Sequence, residues 1–171
     1  MARVQLITGR DQDLSPEQVE TFDRVVESRG RMVRPFEVLL HSPAIARHVA
    51  DLGAVIRFDS ALSDHDRELV IIATARIHDC TFEWDFHLPL ARAAGVREDV
   101  IDHLLGDSGA LTDTESVFVQ FVHELCAEST VPPATFDRAK DLLGESGVVE
   151  LSATIGYYTL LAMVMGACDA C

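Results

Sequence analysis

Apolar residues recur along the chain at the three-and-four spacing of helices, and no stretch alternates apolar and polar residues cleanly over the length of a strand. Ser15-Pro16 opens the first helical segment. Ser15 can cap, Pro16 suits the first helical position, and Gln18 stands three residues after the cap, so a helix is predicted to about Gly30. A short helix over 35–41 follows. Ser42-Pro43 starts another, with Ile45, Val49, Leu52, Val55 and Ile56 on one face. Ser63 caps the next, and Asp64 and Asp66 fall in its first turn, where the helix dipole favours negative charge. From Glu68 to Ile77 this segment is apolar nearly all round, as expected of a helix buried on most sides. It is predicted to be the central core helix.

The pattern breaks at His78-Asp79. Asp79 is predicted to cap a helix that begins at Cys80 and stops at Gly95. A short helix from Arg97 ends at Gly106, and Thr112 with Glu115 reads as a capping box for a helix to about Glu128. Pro132-Pro133 interrupts the chain, and two last helices are predicted over 135–143 and 147–166. The class is therefore all-α, a helical bundle. Residues 1–34 read as an N-terminal helical extension and 35–171 as the main helical domain, the whole forming one compact domain of 171 residues.

Charge narrows the range of partners. The chain holds 14 Lys and Arg against 28 Asp and Glu, a net charge of −14. Phosphate recognition needs clustered cations, so nucleic acid and anionic membrane are not expected partners. No Gly-rich loop follows a strand-like run, which removes the usual nucleotide folds. Four cysteines, with Cys80 and Cys126 in helical patterns, are not the density of a disulfide scaffold. The first thirteen residues lack the apolar stretch of a signal peptide, and the longest apolar run, 157–167, is shorter than a membrane span. A cytoplasmic location is expected.

Candidate chemistry concentrates in Cys80-Thr-Phe-Glu83-Trp-Asp-Phe-His87. Cys80, Glu83 and His87 stand at i, i+3 and i+7 and share one helix face. Glu83 and His87 are one turn apart, so the carboxylate can hold the imidazole. Cys80 is expected in the first turn, where unpaired N–H groups favour a thiolate. Glu68 reaches the same pocket if the two helices pack antiparallel. Each residue also has a plainer reading. Cys80 can be a small buried hydrophobe, Glu83 and His87 an exposed helix pair, and Glu68 a first-turn dipole partner. Trp84 and Phe86 read as core or subunit contacts. On spacing alone the plainer readings prevail. No metal site is expected, because no Cys/His pair has zinc spacing. Cys168-Asp-Ala-Cys171 has dithiol spacing but lies at the chain end without a following helix, and is read as a frayed tail.

The run from Arg67 through Ala75-Arg76, the Cys80–His87 octapeptide and Leu90-Ala-Arg-Ala-Ala-Gly95-Val96 resembles the carboxymuconolactone decarboxylase family, whose superfamily includes the AhpD-like alkylhydroperoxidases. The resemblance extends over roughly residues 35 to 165, including Ile155-Gly-Tyr-Tyr158. It implies an AhpD-like helical bundle, an obligate homo-oligomer (trimer or hexamer), a small-molecule substrate and no cofactor. It also implies catalytic roles for Glu68, Cys80, Glu83 and His87. In the AhpD-like branch a Glu, a Cys-x-x-Cys pair and a His reduce peroxides. Here Glu83 occupies the place of the second Cys, so an intramolecular disulfide cannot form there, and peroxidase (peroxiredoxin-type) activity would need another thiol. The decarboxylase branch has Glu-x-x-x-His, which Glu83 and His87 match. The resemblance therefore implies first a cofactor-free enzyme acting on a small carboxylated or lactone substrate. Single-thiol peroxidase chemistry at Cys80 comes second, and a non-catalytic oligomeric binding protein third. Arg76 and Arg92 are the candidate holders of a substrate carboxylate.

Overall fold

The computed structural model describes residues 2–171, which form eight helices and no strand among the described residues. They are α1 (Pro16–Arg29), α2 (Arg34–Leu39), α3 (Pro43–Phe58), α4 (Asp64–Ile77), α5 (Thr81–Ala93), α6 (Glu98–Leu105), α7 (Asp113–Glu128) and α8 (Pro133–Ala167). The chain divides into two compact units: the described residues up to Asp59 with Met163–Cys171, and Ser60–Ala162. The boundary expected between residues 34 and 35 falls inside the first unit, at the start of α2.

In the first unit α1 packs on α3. The capping box at Ser15 and Gln18 forms as the spacing predicts, and Gly30 closes α1 in the left-handed region at φ 75°. Phe22, Val25, Phe36 and Ala46 are buried. The Arg29 guanidinium lies 4.5 Å over the Phe36 ring and donates to the Ala50 carbonyl at 3.1 Å. The terminal segment is not frayed. The Arg3 N–H donates to the Cys168 carbonyl at 2.7 Å, and Ala170 is buried. Backbone pairing within the unit replaces the water that a loose end would keep.

The second unit is built around α4. Every residue from Glu68 to Ala75 is buried, which is why its apolar surface runs all the way round. α4 packs on α5, α6 and α7. Leu69, Val70, Ile72, Ala91, Phe118, Phe121, Leu151 and Ile155 form the core. The break expected between 143 and 147 falls at Gly144, whose φ of 70° and ψ of 179° interrupt the helical run of α8. By length and composition α8 is apolar enough to cross a bilayer, but half of its most apolar window is buried in the protein, as in the core helix of a globular domain.

Candidate active site

Packing α5 against α4 brings together groups nineteen residues apart. Nδ1 of His87, on α5, lies 2.8 Å from Oε2 of Glu68, near the start of α4. Its Nε2 lies 3.6 Å from Oε2 of Glu83, one turn earlier on α5. Glu68, Glu83 and His87 are 5%, 3% and 2% exposed. Burying ionisable groups costs free energy unless they are paired, so this cluster is held by its own charges and hydrogen bonds. The short contact of His87 is across helices, to Glu68. The i, i+4 partner Glu83 is an ion-pair neighbour beyond hydrogen-bond length. Periodicity favours the local pair because it has no knowledge of which residue a packed neighbour presents.

Aromatic rings complete the setting. Phe86 lies 5.1 Å from the imidazole, centroid to centroid, and Tyr158 of α8 meets it edge-on at 5.1 Å and 88°. Phe82 stacks on Phe86, and Tyr157 stands edge-on to Tyr158. These contacts fix the ring plane of His87 and keep water from it. Neither tyrosine stands out as a site residue in the sequence. Their only signal is the resemblance of the Ile155–Tyr158 segment to members of the carboxymuconolactone decarboxylase family.

Cys80 is the N-cap of α5, not a first-turn residue, and Asp79 does not cap. Asp79 takes the left-handed conformation at φ 48°, the turn that reverses the chain between α4 and α5. An aspartate tolerates this region better than most residues. Cys80 is 1% exposed and lines a cavity of about 240 Å³ with Arg76, Asp79, Trp84 and Leu105. Trp84 thus serves the cavity wall as well as the core it packs against.

The two candidate arginines separate. Arg92 is held in a fork by Glu98, at 2.7 and 3.0 Å, whereas Arg76 lines the cavity and meets Asp79 at 2.8 Å. Elsewhere in the unit the Cys126 thiol lies 4.0 Å from the Thr159 hydroxyl, which also meets Nε2 of His78 at 2.9 Å. Burial pushes the Cys126 thiol above its ordinary range against the pull of the Thr159 contact, so Cys126 is a poor source of thiolate.

No curated protein matches the chain. A family comparison does, and it takes in α3 to α6 and most of α7, including Glu68, Cys80, Glu83 and His87. Residues 43–121 match the model of the carboxymuconolactone decarboxylase family, the family that the Arg67–Val96 motif resembles.

Proposed function

We propose that the protein is an enzyme that performs acid–base chemistry on a small molecule at His87, with no cofactor. The observation that carries this reading is the buried 2.8 Å contact between His87 Nδ1 and Glu68. A carboxylate accepting from Nδ1–H orients the imidazole and stabilises the imidazolium formed when Nε2 takes up a proton. Glu83, on the Nε2 side, adds a second negative charge next to the ring. In a decarboxylation of the family type, loss of CO₂ leaves an electron pair on a dienolate conjugated with a lactone carbonyl. The imidazolium then delivers its proton to carbon. Turnover of γ-carboxylated lactones by wild type, His87→Ala and Glu68→Gln tests this reading. Both variants are expected to lose activity, His87→Ala by at least about 100-fold, while circular dichroism shows them folded. Full turnover by folded His87→Ala would overturn it.

A second reading rests on Cys80, which lines the cavity at the start of α5 and is disulfide-bonded in the structure, so that it acts only once reduced. Its thiolate would attack a hydroperoxide, forming a sulfenic acid and releasing an alcohol. A second thiol would then condense with it to a disulfide and release water. Reduced protein with Cys126, Cys168 and Cys171 changed to Ser, so that no second thiol can resolve the product, should gain one oxygen at Cys80 by mass spectrometry when treated with one equivalent of peroxide, and no gain would sink this reading.

A further inference from the structure

We propose that the cavity beside Cys80 is a subsite for small carboxylate-bearing molecules, in which Arg76 holds the carboxylate and Trp84 and Leu105 cover an apolar body. It deepens the reading above, since it presumes that this site receives small molecules. The cavity, of about 240 Å³, is smaller than the usual drug-sized pocket. Its lining combines one cation, the carboxylate of Asp79, the disulfide-bonded sulfur of Cys80 and two large apolar side chains. Leu105 is 48% exposed, so the apolar wall is open to a ligand arriving from solvent.

Arg76 is suited to the anion. Only its Nη1 is engaged, by Asp79, and among the described residues Nε and Nη2 have no hydrogen-bond partner. A guanidinium with two open N–H directions matches the two oxygens of a carboxylate. The resident Asp79 is weak competition. Its side chain is 85% exposed and that of Arg76 is 43% exposed, and exposed ion pairs contribute little. An incoming carboxylate can therefore replace Asp79 at small cost. The local cation matters the more because the chain carries −14 overall, which repels anions from the surface at large. Arg92, paired twice to Glu98, offers no such opening.

Alkylation of Cys80 tests the subsite without requiring turnover. In the reduced full chain with Cys126, Cys168 and Cys171 changed to Ser, the rates with iodoacetate and iodoacetamide are compared. The two probes are similar in size and differ in charge. Any change in thiolate fraction affects both alike and cancels in their ratio. Arg76→Gln is expected to lower the iodoacetate-to-iodoacetamide ratio about three- to tenfold, and Arg76→Lys to restore most of it. Asp79→Asn, which keeps a residue tolerant of positive φ, is expected to raise the ratio. Leu105→Trp, filling the cavity, is expected to slow both probes. An unchanged ratio in Arg76→Gln overturns the carboxylate role, and unchanged rates in Leu105→Trp overturn the cavity as the route to Cys80. If the ratio falls while folded His87→Ala keeps full turnover, the acid–base reading fails and the subsite stands.

Discussion

Glu115 lies almost wholly out of water and still carries its charge. Burial pushes its carboxyl up. The Arg97 guanidinium, at 2.6 and 3.2 Å, and the Thr112 cap together outweigh that and bring it down to about 2. A carboxylate held below its unfolded value of 4.5 contributes stability that is fully present above that value. The contribution is lost as pH falls from there through about 2. Glu115→Gln is therefore expected to cost about 2 kcal/mol at neutral pH. Urea unfolding should also show a shallower acid loss of stability in the variant across that window. An unaltered acid slope would refute the assignment. The Thr112–Glu115 box is legible from spacing alone. The partnership with Arg97, eighteen residues earlier, is not, because it depends on how the segment before α6 lies against the start of α7.

At the scale of the element, α8 shows how one residue divides a helix. Gly144 occupies a backbone region, φ 70° and ψ 179°, that is essentially closed to residues with a side chain. Nothing lies within 4 Å of a Cβ built there, so any penalty for a larger residue comes from the backbone and not from a clash. Gly144→Ala is expected to cost about 1–3 kcal/mol, read as a lowered thermal midpoint. Stability equal to wild type would mean the kink does not need glycine. The sequence marks this break through its glycines but cannot place it to the residue. The α4–α5 turn is a stricter case. Asp79 reads as a cap from composition, yet the reversal into α5 puts it at positive φ and leaves Cys80 as the N-cap.

Across the whole molecule, charge and exposed apolar surface oppose each other. Ile45, Leu52 and Val55 share one face of α3 and are each about half exposed. The self-association we expect would cover such a face. Sedimentation equilibrium should give a mass several times 18.8 kDa, and Leu52→Glu should lower it. Chains of net charge −14 repel one another, so association should strengthen with added salt. A wild-type protein that stays monomeric at all salt concentrations would refute it.

Periodicity, caps and punctuation determine the all-α class, the order of the helices, the buried character of α4 and the family motif, because all of these depend on residues within a few turns of one another. The four candidate residues are legible for the same reason, with the help of the resemblance. Only tertiary structure decides their relations. It makes Glu68, not Glu83, the hydrogen-bond partner of His87, and sets Tyr158 of α8 against that ring. It also turns Arg76 toward a cavity while Glu98 occupies Arg92. Those outcomes follow from side chains meeting across helices, a distance in space that spacing along one helix does not encode.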